Sequence, residues 1–308
     1  MKKISYYVRL MRPNQWVKNV FVLFPLMFSK NLFNVSLFAG SFLTLVSFCF
    51  AASSIYIVND IADKELDRLH PVKKNRPIAA SVVTVGEGWC IAVVLFVISF
   101  MVLLLGGIRL TVIIPIAAYI IINLLYSFVL KQIVLIDVFV IAAGFILRII
   151  AGGYAINVKI SNWLIMTTLF ISIFLGVAKR RGEFVHLSQS RDESSRKVLI
   201  NYDLSLIDQI LSISSASVII TYALYTVSER TVLAFKTEAL IFTTVFVVYG
   251  IFRYLYLIHK MGLGESPINA LFTDMPMVIN MIFYIISAIA IIYKQELIRI
   301  VSKYAPFS

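Results

Sequence analysis

Runs of about 20 apolar residues, separated by short charged loops, recur along the whole chain. A helix of that length crosses a hydrocarbon core of roughly 30 Å, and no other backbone arrangement with free edges satisfies its own hydrogen bonds there. Nine such stretches are predicted, at residues 16–33 (interrupted by Pro25), 37–58, 89–105, 110–130, 133–156, 163–177, 206–227, 239–258 and 275–293. Hydrophobic residues fill 60% of the 308 positions and charged ones 14%, with a mean hydropathy of +0.91. That leaves too little polar surface to cover a soluble fold. The expectation is an all-α polytopic membrane protein, with about nine transmembrane helices in one bundle. No linker rich in Pro, Gly or Ser divides residues 1–308, so one domain is expected.

The net charge of +12 does not point to nucleic acid, because most of the basic residues lie in short loops between the runs. There they obey the positive-inside bias and suit anionic substrates or lipid headgroups. Nine spans put the N-terminus and the loops after spans two, four, six and eight on one side. Those segments hold most of the Lys and Arg, so that side is expected to be cytoplasmic, in the inner membrane. The C-terminal Lys294, Arg299 and Lys303 then fall outside, a departure from the rule. Cys49 and Cys90 both sit within apolar runs, as buried thiols rather than a disulfide. Residues 1–19 read as an amphipathic interfacial helix, with no removable signal peptide. The polar loops after spans two and six are compatible with a duplication, but they are too unlike to establish one.

Against that background the segment from Asn59 to Pro77 stands out. Asp60, Asp63 and Asp67 are spaced i, i+3, i+7, and Asn59, Asp63 and Asp67 are spaced i, i+4, i+8, so on a helix each set shares a face. Like charges on one face repel unless a cation neutralises them. A few hard oxygen ligands with room left for water and phosphate are what Mg²⁺ prefers. The basic residues that follow, Arg68, Lys73, Lys74 and Arg76, are placed to grip the anion. Pro71 and Pro77 end the helix between the acidic and basic parts. A solvated helix end that only sets topology would carry similar charges.

The cytoplasmic loops would gather over one polar cavity in the bundle, with Lys18, Lys131 and Lys179 at its rim; each also reads as a snorkelling lysine. Arg148 lies well inside the fifth run, where an ionised group is costly and faces a cavity or a partner. Asp137 shares its helical face but is too far along the helix to pair with it directly. Lys179-Arg180-Arg181-Gly182-Glu183 suits phosphate binding plus one metal or hydroxyl contact from Glu183, and equally a topogenic patch. Tyr56 lies one turn before Asp60, facing the pocket or the interface.

Asn59-Asp60-x-x-Asp63-x-x-x-Asp67 at the end of span two resembles the first aspartate-rich motif of the UbiA superfamily of intramembrane prenyltransferases. Arg12-Pro13-x-Gln15-Trp16-x-Lys18-Asn19, together with Asp67-Arg68-x-His70-Pro71-x-Lys73-x-x-Arg76-Pro77-Ile78-Ala79, is similar to one branch, the decaprenyl-phosphate phosphoribosyltransferases. The resemblance covers most of the chain. Where ordinary members carry a second aspartate-rich box after span six, this chain has Lys179–Glu183, with more cations and fewer carboxylates.

The resemblance implies transfer of 5-phosphoribose from phosphoribosyl diphosphate to a polyprenyl phosphate, with Mg²⁺ as cofactor. It implies a metal site at Asn59 and Asp63 with Asp60 and Asp67 nearby, and catalytic roles for Asp60, Asp63, Asp67 and Lys179. Phosphate contacts would come from Lys18, Lys73, Arg76, Lys179, Arg180 and Arg196, with Tyr56 and Glu183 at the substrate, and Lys131 and Arg148 orienting the lipid phosphate. Transfer of an isoprenoid from its diphosphate to an aromatic acceptor is the alternative activity. A transporter is the alternative outside enzymes. Neither the lipid's length nor an oligomeric state is legible.

Overall fold

Asn34 opens the longest helix of the first half of the chain: its side-chain oxygen accepts the Leu37 N–H at 3.1 Å, satisfying a donor the helix cannot. In the computed structural model, which describes residues 2–70, 72–190, 202–260 and 272–298, this helix runs Val35–Ala62. The other α-helices among the described residues follow in chain order. They are α1 (Lys2–Met11), α2 (Phe24–Phe28), α4 (Lys64–Leu69), α5 (Val85–Leu105), α6 (Ile113–Phe128) and α7 (Ile136–Ala155), with Val35–Ala62 as α3. Then follow α8 (Asn162–Ser190), α9 (Leu204–Val227), α10 (Glu229–Phe235), α11 (Thr244–Lys260) and α12 (Met275–Ile292). No strand occurs among the described residues.

Two compact units emerge. The first holds Met1–Met27, Asn31–Ile160 and Ser190–Tyr202; the second holds Phe28–Lys30, Ser161–Gln189 and Asp203–Ser308. In the first, α3 is the central post, packed along α5 and against α6, α7 and α1. Ser47 and Ser99 donate hydroxyl hydrogen bonds to each other's carbonyls at 2.8 and 2.9 Å, which lets α3 and α5 approach with their small polar groups satisfied. A capping box at Thr84 and Glu87 starts α5, and Lys3 of α1 pairs with the same Glu87 at 2.6 Å. In the second unit α11 packs on α12 and on α9, and Tyr222 and Thr243 share a buried hydroxyl contact of 2.6 Å.

Among the described residues, eight helices are long and apolar enough to cross a membrane. They match eight of the nine predicted stretches, and the protein is an integral membrane protein of all-α architecture. The remaining stretch, expected as a helix over 16–33, takes another form. Pro13–Leu23 is a 3₁₀ helix of 11 residues that runs directly into the 5 residues of α2. At about 2.0 Å per residue followed by about 1.5 Å, the pair reaches roughly 30 Å, the thickness of a hydrocarbon core.

The 3₁₀ form follows from what the segment packs against. With three residues per turn, Trp16, Asn19 and Val22 lie in one line. Trp16 donates to Ser53 at 3.0 Å, Asn19 is fully buried against Arg148 and Cys49, and Val22 is fully buried in the first unit's core. Pro25, next in the line, has no N–H to offer the Val22 carbonyl. That carbonyl lies against Gly152 of α7, where an added Cβ would overlap the oxygen and sit 2.9 Å from its carbon.

Gly152→Ala is expected to lower stability by about 2 kcal/mol through overpacking, seen as a reduced Tm of the detergent-solubilised protein. Gly86→Ala, where a Cβ meets nothing within 4 Å, should leave the Tm unchanged or slightly raised. Equal melting of the two variants would show that close approach of the 3₁₀ segment to α7 does not hold the unit together.

Candidate active site

The helix carrying the acidic segment breaks at Asp63. Its N–H still donates to the Asn59 carbonyl at 2.9 Å, but its φ of −95° and ψ of 7° end α3 and start α4. The Asp63 side chain caps neither helix, so its carboxylate is left for other partners. Asn59 donates to Asp63 Oδ2 at 3.2 Å and Lys131 Nζ pairs with Oδ1. The Asn59 amide oxygen is buried and has no hydrogen-bond partner.

Asp60 and Asp67 have a different neighbourhood. Both accept from Arg76 Nη1, at 3.1 and 2.6 Å, and Asp60 also pairs with Arg12. The two carboxylates are 2% and 4% exposed, so the guanidinium groups are what makes their charge tolerable there. Arg12 adopts a left-handed backbone (φ 52°) at the start of the 3₁₀ helix, and its guanidinium lies 5.4 Å from the centre of the Tyr56 ring. The four residues expected to share one cation thus fall into two neighbourhoods, Asn59 with Asp63 and Asp60 with Asp67. Among the described residues, no three Asp, Glu, His or Cys side chains converge on a point that could hold a metal. The break at Asp63 separates what a continuous helix would have aligned.

Arg68 also differs from expectation. It bonds Glu65 at 3.0 Å, the Ala79 carbonyl at 3.2 Å and Ser81 at 2.8 Å, clamping the loop rather than facing the acids. His70 Nδ1 accepts the Val72 and Lys73 N–H groups at 3.2 and 3.3 Å, which turns the chain back so that Arg76 reaches α3. Lys73 opens a short 3₁₀ turn in that loop.

Arg148 is 4% exposed and, among the described residues, meets only neutral acceptors: Asn19 Oδ1 at 2.8 Å, the Gly144 carbonyl at 2.7 Å and Tyr119 Oη at 3.3 Å. The rings of Tyr119, Phe48 and Phe145 surround it at 4.6, 5.4 and 5.5 Å. No carboxylate pairs with it among the described residues. Asp137 is bound instead by Tyr202, whose hydroxyl donates to it at 3.0 Å and accepts the Leu135 N–H at 2.8 Å. Lys18, on the same unit, makes no ion pair among the described residues either; Arg148 and Arg12 both bear on it electrostatically.

In the second unit, Glu183 is shared by Lys179 (3.8 Å) and by the buried Arg180. Arg181 turns to Asp208 at 2.7 Å and to the Ile258 carbonyl at the end of α11 at 3.2 Å. Arg196 lies outside the described residues. Sequence reasoning gave Arg12 and Asn19 no site role of their own and passed over Tyr119. The first two carried a signal, as polar residues in the Arg12–Asn19 motif. Tyr119 carried none, being one tyrosine among many in apolar runs.

A family model described as the UbiA prenyltransferase family matches residues 20–272. The chain belongs to the UbiA prenyltransferase family. A decaprenyl-phosphate phosphoribosyltransferase of Corynebacterium glutamicum is 36% identical over 71% of this chain and 66% of its own length. One from Mycolicibacterium smegmatis is 34% identical over 73% of this chain and 71% of its own. The chain thus spans about two thirds to three quarters of these relatives. A UbiA homologue from Archaeoglobus fulgidus, solved bound to GPP and Mg²⁺, shares the fold with a TM-score of 0.71 over 93% of this chain and 99% of its own, at 19% identity.

The residues of this UbiA-family chain fit a magnesium ion of the kind implied. The orphaned Asn59 oxygen and the adjacent Asp63 carboxylate are two hard oxygen donors one helical turn apart, and Mg²⁺ commonly takes only one or two protein ligands beside water and phosphate. Asp60 and Asp67, held by arginines, support the position of that pair.

Arg76→Ala leaves Asp60 with Arg12 alone and the buried Asp67 carboxylate without its arginine, and is expected to cost about 3 kcal/mol. Adding Asp67→Asn should recover part of that loss. A double variant no more stable than Arg76→Ala, measured by thermal unfolding, would remove the arginine bridge from the account.

Proposed function

We propose that this protein transfers the 5-phosphoribosyl group of phosphoribosyl diphosphate to a polyprenyl phosphate, releasing diphosphate, in a Mg²⁺-dependent reaction. The observation that carries the reading is an excess of cations around a minimal donor set. Arg12, Arg76 and Lys131 serve the three carboxylates Asp60, Asp63 and Asp67 in the first unit, and among the described residues neither Lys18 nor Arg148 pairs with an acid. A site built for two phosphorylated substrates needs that surplus. The relatives named decaprenyl-phosphate phosphoribosyltransferase support the same class.

In this mechanism an oxygen of the lipid phosphate attacks C1 of the ribose while the bond from C1 to the diphosphate breaks, and the diphosphate leaves. The phosphate is already ionised at neutral pH, so no side chain has to remove a proton. Asn59 and Asp63 would hold the magnesium ion, which supplies charge neutralisation on the diphosphate when bound. Arg76 and Lys131 now neutralise Asp60, Asp67 and Asp63, and they are the groups able to turn toward the diphosphate as its charge develops. Arg148, held flat by its aromatic surround, keeps unused N–H groups for the lipid phosphate. The site faces the cytoplasm, where phosphoribosyl diphosphate is available, and the ribosylated lipid serves cell-envelope polysaccharide assembly.

Purified protein with Mg²⁺, labelled phosphoribosyl diphosphate and a polyprenyl phosphate should yield lipid-soluble label. Asp63→Ala is expected to reduce it on the order of 100-fold, and Asn59→Ala to raise the Mg²⁺ concentration for half-maximal rate by ~10-fold. Label transfer that occurs only from a prenyl diphosphate to an aromatic acceptor would replace this reading with the ordinary family reaction.

Arg148→Gln is expected to raise the KM for the lipid by ~10-fold, with the KM for phosphoribosyl diphosphate little changed. An unchanged lipid KM in a folded Arg148→Gln protein would restrict Arg148 to packing.

A further inference from the structure

Three lysines surround a cleft of about 200 Å³ in the second unit, at the end of the helices opposite Arg181 and His259. Lys236 precedes the span Ala239–Lys260, and Lys294 follows the span Met275–Ile292, so both sit at one end of an antiparallel pair. Lys30 joins them, its ammonium 6.0 Å from the centre of the Phe235 ring. Phe235, Ile291 and Ile298 supply an apolar wall.

None of the three lysines forms an ion pair among the described residues. Glu296, two positions after Lys294, forms no ion pair among the described residues, and its Oε2 is buried without a hydrogen-bond partner. Lys30 and Lys236 both hold left-handed backbones (φ 59° and 55°), a conformation that costs a non-glycine residue and here brings both side chains to one cleft.

We infer that this cleft binds the headgroup of an anionic membrane phospholipid. Three unpaired cations call for an anion. An apolar wall at the boundary of two spans calls for one that carries acyl chains, rather than a free phosphate. The volume lies below the ~300–1,000 Å³ of pockets that enclose a whole ligand, which suits a lipid that inserts only its headgroup. The inference accounts for basic residues on the side of the chain where the positive-inside bias does not call for them. It is independent of the transfer reaction, since none of these residues belongs to the acidic segment's site.

The test uses the full chain in a neutral detergent, with native mass spectrometry of retained lipid and Tm as readouts. Phosphatidylglycerol, phosphatidylcholine and inorganic phosphate are the probes. Wild type should retain phosphatidylglycerol over phosphatidylcholine and gain Tm with it, and inorganic phosphate at equal concentration should do neither. Each Lys→Gln change at 30, 236 or 294 is expected to weaken retention roughly fivefold, and all three together on the order of 100-fold. The triple Lys→Arg protein should retain the lipid.

Equal retention by wild type and the triple Gln variant overturns the inference. Should the triple variant not fold, equal retention by the folded Lys236→Gln and Lys294→Gln single variants overturns it as well. A Tm gain from inorganic phosphate matching that from phosphatidylglycerol overturns the assignment to a lipid.

Discussion

An ionised side chain inside an apolar bundle has to be matched by opposite charge or by fixed dipoles, and the first unit is arranged around that requirement. Arg76 reaches back from the loop to stand between Asp60 and Asp67, and Arg12 pairs with the same oxygen of Asp60. Lys131 crosses from the α6–α7 connection to Asp63. Arg148 is treated differently: an amide, a carbonyl and a phenol, with three rings around it, disperse its charge without cancelling it. The balance is acid-poor, and a polyanionic substrate would complete it.

The 3₁₀ segment connects these features. It begins at Arg12, which holds Asp60, and passes Lys18 and Asn19, which adjoin Arg148, before ending where Val22 meets Gly152. A single straight element thus ties the acidic end of α3 to the buried arginine of α7. Its threefold repeat keeps Trp16, Asn19 and Val22 in line over a length that an α-helix would need more residues to cover.

Apolar run length located eight of the spans, because length and hydropathy are local properties. The i, i+3, i+7 acids and the basic residues after them were legible for the same reason. The break at Asp63 was not, and neither was the pairing of its carboxylate with Lys131, 68 positions away. Run length gives the first stretch as 16–33 interrupted by Pro25, and it does not show that the packing positions there repeat every three residues. Asp137 read as too far along the helix to pair with Arg148, and Arg148 as a group facing a cavity or a partner. The partners, Tyr202 and Asn19, lie 65 and 129 positions off, beyond any local pattern.

The threefold segment also limits how this chain can vary. Three residues make one turn, so one residue gained or lost between Trp16 and Val22 rotates everything beyond it by about 120°. Asn19 would leave the guanidinium and Val22 the glycine notch together, with no intermediate setting to absorb the slip. Substitutions, rather than insertions or deletions, are the changes this span can accept.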